Sequence, residues 1–166
     1  MLFRSLGLLW PRSQSGSTLL DALFEVSRGL QRRDAPRAII VAIVTDGGDF
    51  SGRRYEQTIA ELGRAQAALH VISVGNFNQL DDDELRNRAR MLSEGTTATG
   101  GQRVNVLTPT AVQPALERLA RELSSQYKVV FGRPESLIPP KKTDARARRT
   151  GLTLRGTLER LSGRPK

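Results

Sequence analysis

Two aspartates follow a long apolar run in residues 38–52, and their side chains could bind a cation. Asp46 comes directly after "AIIVAIVT", and Asp49 follows Gly47 and Gly48. Glycines let a backbone turn sharply and approach a ligand closely. Carboxylate oxygens suit a hard cation such as Mg²⁺. An Asp-Gly pair also makes a tight turn without any ligand, so both interpretations of Asp46 stay open.

A second oxygen donor stands earlier in the chain, in the stretch "SGSTLLDAL". The hydroxyl of Thr18 could bind the same cation as Asp46. However, Thr18 and Asp21, three residues later, also resemble a capping box at the start of a helix. The two roles can coexist across Ser17 and Thr18.

The residues that would indicate an enzyme are scarce. His70 is the only histidine and cysteine is absent, so thiol nucleophiles and cysteine-zinc sites are excluded. Ser73 lies inside a predicted strand without a nucleophile-elbow pattern. The glycine-containing stretch "TDGGDFSGR" lacks the lysine of a phosphate-binding loop. We therefore expect no catalysis and interpret His70 as a structural residue.

The elements that must position these residues alternate between helix and strand. Apolar runs predict strands at 38–44 and 68–75, both buried on both faces, and shorter strands at 103–107 and 126–132. Residues 81–95 predict a helix with Gly95 as its C-cap. Apolar stripes at helical spacing predict three more helices: Leu19, Leu23, Val26 and Leu30; Tyr55, Ile59 and Leu62; Val112, Leu116, Leu119 and Leu123.

This alternation predicts an α/β fold, with a partial Rossmann-like parallel sheet of three to four strands flanked by helices. Residues 133–143 form a proline-containing connector. Residues 144–166 are predicted to be a basic tail with an antiparallel β-hairpin, 145–149 with 152–158, around Thr150-Gly151. Residues 1–15 are interpreted as an N-terminal remnant of a helix or loop.

Positive charge is concentrated at the end of the chain. The 166 residues carry a net charge of +9. Residues 141–166 hold nine basic and two acidic residues, a net of +7, which leaves +2 for the rest. The alternative function is therefore polyanion or nucleic-acid binding through Arg146, Arg148, Arg149 and Arg155. A merely solvated basic face explains the same pattern. Because no aromatic residue follows Phe131, we do not expect specific nucleic-acid binding.

The sequence also bears on membranes and location. No apolar run approaches the roughly 20 residues that span a bilayer, and no signal peptide is recognisable. We therefore expect no transmembrane segment, and the compartment stays open.

Three stretches together, "GSTLLDAL", "IIVAIVTDGGDFS" and "LHVISVG", resemble the second half of a von Willebrand factor A domain. The similarity covers about residues 16–158 and assigns 16–132 to a partial domain of this type. It is closest to a bacterial branch in which "ELSSQYKVVF" and a basic terminal hairpin follow the last helix. The resemblance implies a non-enzymatic, protein-binding module. Thr18 and Asp46 would be ligands of a metal-ion-dependent adhesion site, and a carboxylate of the partner would complete the coordination. It further implies a protein-binding loop made of Ser17, Gly47, Gly48 and Asp49.

One departure from the family pattern changes these expectations. The first metal motif, Asp-x-Ser-x-Ser, is missing, so the sequence resembles a domain that starts halfway. We therefore expect an incomplete site that binds Mg²⁺ or Mn²⁺ weakly. Strand 38–44 would become a sheet edge, which invites pairing with another chain or a second copy. A fragment without independent function is the remaining alternative. Family members of this branch are often exported, but location stays open here.

Overall fold

The computed structural model describes residues 17–33, 37–45, 48–75, 83–127, 129, 147–152 and 154–156. Within these residues, helices and strands alternate as the sequence predicts. A π-helical turn, Met91–Gly95, joins α3 to α4, and a 3₁₀ turn, Pro109–Ala111, leads into α5. The elements are α1 (Leu19–Arg32), β1 (Ile39–Thr45), α2 (Tyr55–Arg64), β2 (Ala68–Val74), α3 (Asp83–Arg90), α4 (Thr96–Ala98), β3 (Arg103–Val106) and α5 (Val112–Ser124).

The three described strands form one parallel sheet in the order β1-β2-β3. Ile39 is the partner of Ala68 at the start of β1, and Val71 is the partner of Arg103 at the start of β3. Parallel strands require crossover connections, and α2 and α3 provide them. The predicted α/β fold with a parallel, partly Rossmann-like sheet is confirmed. β1 lies at one edge of the described sheet, as expected.

One face of the sheet carries the hydrophobic core. Side chains of β1 and β2 that point to this face pack against α1, α2 and the π-helical turn. Fully burying a side chain such as leucine contributes roughly 1.5–3 kcal/mol, so this contact is the main source of stability. The buried members include Leu20, Leu23, Ile40, Val44, Leu62, Leu69, Val71, Met91 and Leu92.

The apolar stripe predicted for α1 is rotated from its expected position. Leu20 and Leu23 are buried, whereas Val26 is 38% exposed. Ser27 is fully buried in its place, because its hydroxyl donates to the carbonyl of Leu23 at 2.7 Å and so satisfies its polar atom. The predicted inward position of Val26 is therefore wrong.

The two strands predicted to be buried on both faces differ. In β2, every residue from Ala68 to Ser73 is buried. In β1, Val41 is 40% and Ile43 is 52% exposed. The prediction for β1 is wrong because the described elements cover only one of its faces.

The second face of the sheet is covered at β2. Side chains alternate along a strand, so His70 points away from the core face that holds Leu69 and Val71. Helix α5 lies on the His70 side of the sheet. Burial lowers the pKa of His70, and the carboxylate of Glu122 on this helix is close enough to oppose that shift. At the start of β3, Gly101 lies directly against the backbone of Leu69, where a Cβ atom would be 1.8 Å from the carbonyl oxygen.

Two sequence predictions, a helix end at Gly95 and a strand at 126–132, differ from the structure. Gly95 does not end a helix, because its backbone is right-handed helical and the chain continues into α4. A Cβ there would lie 2.6 Å from Met91 Cε, so close packing explains the glycine. In the predicted strand 126–132, the described residues Gln126, Tyr127 and Val129 are not in a strand. The others lie outside the described residues.

The predicted C-terminal hairpin is described only in part. Thr150 and Gly151 form a turn, and Gly151 has a φ of 81°, which suits glycine. Residues 147–152 and 154–156 contain no strand. The rest of the hairpin, and most of the connector 133–143 and of the tail, lie outside the described residues.

Candidate functional site

A backbone bridge joins the start of α1 to the loop after β1. Ser17 and Asp49 are parallel bridge partners. The Ser17 N–H donates to the carbonyl of Gly48 at 3.0 Å, and the Phe50 N–H donates to the carbonyl of Ser17 at 2.8 Å. The turn at Ser17 and Thr18 therefore lies beside this loop, at the carboxyl end of β1. Ligands commonly bind at this edge of parallel α/β sheets.

The first turn of α1 is capped from a distance. Ser51 Oγ accepts hydrogen bonds from the backbone N–H groups of Leu20 at 3.0 Å and Asp21 at 3.2 Å. Thr18 occupies the N-cap position, but its side chain makes no capping bond. The predicted capping box of Thr18 and Asp21 is therefore wrong. Instead, the carboxylate of Asp21 accepts from the N–H of Gly52 at 3.1 Å.

Asp49 holds Ser51, the residue that caps α1, in place through hydrogen bonds. The residue is only 4% exposed, and its Oδ1 accepts from both the N–H and the hydroxyl of Ser51, at 3.0 and 2.5 Å. Its Oδ2 is buried and has no hydrogen-bond partner among the described residues. A buried carboxylate oxygen without a donor is costly. The buried Oδ2 of Asp49 is therefore an unsatisfied acceptor at this site, and the positive end of the α1 dipole lies nearby.

Two residues of α3 form hydrogen bonds with the backbone at the end of β1 and at the start of α2. Asn87 accepts from the Tyr55 N–H at 2.9 Å and donates to the carbonyl of Arg53 at 3.0 Å. Arg88, 4% exposed, donates to the carbonyl of Thr45, the last residue of β1. The guanidinium of Arg88 thus brings a buried positive charge to the carboxyl end of β1.

The predicted site residues lie in different environments. Ser17 and Thr18 are exposed, Gly48 is half-buried and Asp49 is buried. Asp46 and Gly47 lie outside the described residues, between Thr45 and Gly48. Among the residues that are described, no group of three or more acidic, histidine or cysteine side chains could hold a metal ion. A cation at this edge would therefore depend on Thr18, Asp46 and the oxygens around them.

His70 and Ser73 lie within β2, paired with Val41 and Val44 of β1. His70 is 2% exposed, and neither ring nitrogen has a hydrogen-bond partner among the described residues. Burial lowers the pKa of His70, the carboxylate of Glu122 opposes that shift, and the charge of Arg155 adds to it. Ser73 accepts a hydrogen bond from Arg103 Nε at 3.0 Å. His70 and Ser73 point to opposite faces of β2, so they do not form a nucleophile and base pair.

The arginines of the alternative, polyanion-binding hypothesis are partly described. Arg148 and Arg149 are exposed. Arg155 is engaged with the carboxylate of Glu122 on α5. Arg146 lies outside the described residues. The sequence therefore anticipated exposed cations at 148 and 149, but not the contact of Arg155 with α5.

Ser51 and Arg88 are the residues at this edge that sequence reasoning missed. Ser51 is 31 positions from Leu20 and 30 from Asp21, so no local spacing rule connects them. The Asp49–Ser51 spacing is the one available signal, because aspartate side chains commonly bond the backbone two residues on. Arg88 lies 43 positions from Thr45 and looks like any charged helix residue in the sequence.

Comparisons with family models, with curated proteins and with solved structures find no match. In the part of the chain that the structure describes, no helix has the length and apolar character needed to cross a bilayer.

Proposed function

We propose that this chain is a non-enzymatic protein-binding module, similar to the second half of a von Willebrand factor A domain and carrying part of a metal-ion-dependent adhesion site. Its contact surface would be the binding rim, defined as Ser17, Thr18 and the loop of residues 46–50. Mg²⁺ or Mn²⁺ would bind weakly there, and the partner would contribute a carboxylate.

The observation that carries this proposal is the bridge between Ser17 and Asp49. It places the backbone of Ser17 within hydrogen-bond distance of Gly48 and Phe50. The residue after Ser17 is Thr18, and the residues just before Gly48 are Asp46 and Gly47. The two proposed ligands thus belong to segments that meet at one edge of the sheet, although they are 28 positions apart.

One further feature bears on a cation at the rim. The buried Oδ2 of Asp49, which has no hydrogen-bond partner among the described residues, is an acceptor that a cation or a cation-bound water would satisfy. The few protein oxygens available predict weak binding, with a Kd on the order of 10⁻³ M. A bound cation would supply an open coordination position for an oxygen ligand.

The expectation of no catalysis rests on the surroundings of His70. A general base must be within hydrogen-bond reach of the proton it removes. His70, a residue of β2, is buried on the side of the sheet where α5 packs. No described hydroxyl is hydrogen-bonded to it. The binding rim therefore has no histidine base, which favours binding over turnover.

Calorimetry and thermal unfolding with MgCl₂ and MnCl₂ test the cation site. We expect saturable heat and a rise in Tm at millimolar Mn²⁺. Thr18→Ala should weaken the effect and Asp46→Asn should abolish it. Thr97→Ala and Glu94→Gln are matched controls, because both residues are exposed in the last part of the crossover that leads to the start of β3. They therefore lie toward the opposite edge of the sheet, and both variants should titrate like the wild type. Equal responses of Asp46→Asn and wild type would reject the cation site.

A second measurement tests the partner chemistry. An amidated peptide with a single glutamate serves as the probe, and amide shifts are followed by NMR with Mg²⁺ and with EDTA. We expect shifts at Ser17, Thr18 and Phe50 with Mg²⁺ alone. A glutamine version of the peptide should cause none. Identical shifts with EDTA would mean that the rim binds without a cation, and no shifts at all would argue against the rim as a binding surface.

A further inference from the structure

The open side of β1 has none of the features that protect an edge strand. Among the described residues, β1 pairs only with β2. Its seven residues, IIVAIVT, include no charge, proline or glycine. Natural edge strands usually carry such residues to prevent pairing with another chain. Val41 and Ile43 are also exposed on the face away from the core.

The direction of the free backbone groups follows from one hydrogen bond. The Ala68 N–H donates to the carbonyl of Ala38 at 3.0 Å, so Ala38 faces β2. In a parallel strand the peptide groups of alternate residues point to opposite sides. Ile40, Ala42 and Val44 therefore also face β2. The backbone N–H and C=O groups of Ile39, Val41, Ile43 and Thr45 point to the open edge.

We propose that two copies of this chain associate through β1, antiparallel about a two-fold axis at Ala42. This register pairs Val41 with Ile43 of the second copy, and Ile39 with Thr45 of the second copy. Every outward-pointing residue then meets another outward-pointing residue, and each such pair exchanges two hydrogen bonds. Two three-stranded sheets become one continuous sheet.

The side chains agree with this register. Residues directly opposite one another in an antiparallel pair lie on the same face of the sheet. Val41 and Ile43 from both copies would form one apolar cluster beside α5 and lose their exposure to water. A two-fold axis also closes the assembly, because each copy contributes the same β1 edge and that edge is then fully paired.

The charges along β1 favour a second copy as the occupant. β1 itself is uncharged, so two copies paired through it oppose no like charges along the strand. The nearest described charge before the strand, Arg37, bonds to the carbonyl of Leu123 and to the side chain of Gln126 at the end of α5. Arg37 therefore already has hydrogen-bond partners within its own copy. This interface does not use the cation at the binding rim.

The dimer should be weak. Stable interfaces usually bury about 800 Å² on each partner, and one strand with two apolar side chains falls below that size. We expect a Kd on the order of 10 μM. Sedimentation velocity on the full chain, from about 1 to about 500 μM, should show a monomer at the low end and a dimer at the high end.

Two double variants test the register. Val41→Lys/Ile43→Lys places lysines opposite each other across the axis and should give a monomer throughout the concentration range. Val41→Lys/Ile43→Glu places each introduced lysine opposite the introduced glutamate of the second copy. It should therefore restore the dimer at low salt and lose it at high salt. Leu107→Lys, at a site that is 82% exposed and outside β1, is the matched control and should dimerise like the wild type.

The outcomes separate the possible occupants of the edge. A wild-type chain that stays monomeric to the highest concentration overturns the proposal and leaves the edge to a strand of a different protein. A dimer that survives the double lysine change overturns it too, because another surface then mediates association. Circular dichroism and urea unfolding of each variant ensure that a loss of dimer reflects the edge and not loss of the fold.

Discussion

Ser51 and Asp49 form a capping pair that fixes the start of a helix distant in sequence. The Ser51 hydroxyl donates to Oδ1 of Asp49 at 2.5 Å, while its oxygen accepts two N–H groups from the first turn of α1. One serine thus satisfies N–H groups that Thr18, at the N-cap, does not. The loop after β1 and the start of α1 are consequently stabilised together.

Ser51→Ala should destabilise the fold by about 2 to 4 kcal/mol. The change removes a helix cap, worth about 1 kcal/mol, and a donor to a buried carboxylate, worth about 1 to 3 kcal/mol. Urea unfolding followed by far-UV circular dichroism measures the loss. Thr18→Ala, without added cation, should change stability by less than about 0.5 kcal/mol. A larger loss in Thr18→Ala than in Ser51→Ala would show that the local residue is the cap.

Gly101 should not tolerate a side chain. A Cβ there would lie 1.8 Å from the carbonyl oxygen of Leu69, and this neighbour is backbone that cannot rotate away. We expect Gly101→Ala to cost about 3 kcal/mol or more, as for severe overpacking. Gly29→Ala is the matched control, because nothing lies within 4 Å of its Cβ. That change in a helix interior should stabilise by about 0.5 to 1 kcal/mol.

The buried His70 should make the protein less stable in mild acid. Burial lowers its pKa in the folded state, whereas in the unfolded chain the pKa is near its ordinary value of about 6.5. The unfolded state therefore binds the proton more readily. Stability should fall as the pH drops below about 6.5, by at most about 1.4 kcal/mol per pH unit, until the folded-state pKa is passed.

Two measurements check the role of His70. Urea unfolding between pH 5 and 8 should show this slope for the wild type, and His70→Phe should reduce it. Because His70 is the only histidine, its ring proton gives one NMR titration curve for the folded protein. Glu122→Gln should lower that pKa further, since Glu122 opposes the effect of burial. A folded-state pKa at or above about 6.5 would contradict the prediction.

Gln31 should stabilise the fold because its side chain, on α1, donates a hydrogen bond to the buried carboxylate of Glu61 on α2. Its amide donates to Oε1 of Glu61 at 2.7 Å, and Arg64 donates to Oε2 at 2.7 Å. Desolvation raises the pKa of Glu61, but these bonds and the charge of Arg64 lower it overall. Gln31→Ala should cost about 1 to 3 kcal/mol by leaving that oxygen without its donor.

The control for Gln31 is a glutamine with a similar bond on the surface. Gln113 donates to Glu117 at 3.1 Å in an exposed part of α5, so Gln113→Ala should cost less than about 0.5 kcal/mol. The pKa of Glu61 should also rise in Gln31→Ala. The stability that Glu61 gives is present above its ordinary pKa and lost as pH falls, so acid unfolding should begin at higher pH. Equal unfolding curves for the two variants would disprove the role of Gln31.

Local pattern determined the elements of this protein and the class of its fold. Apolar runs separated by helical stripes predicted parallel strands, because a helix between two strands supplies the crossover connection that parallel pairing requires. The continuous apolar run of β2 correctly predicted burial on both faces, but the same signal in β1 did not. The short loops after β1 and before α1 were recognisable from their glycines and hydroxyl residues.

Only the tertiary structure decided which surfaces are covered and which distant groups meet. β1 and β2 have equally apolar sequences, yet Ile43 is exposed and Ile72 is buried, because α5 covers β2 and leaves that face of β1 open. The choice of Ser51 over Thr18 as the cap likewise depends on a backbone bridge between segments about 30 residues apart. Periodicity records which side of an element is apolar. Coverage and long-range hydrogen bonds depend on how the elements pack together, and no local spacing encodes that arrangement.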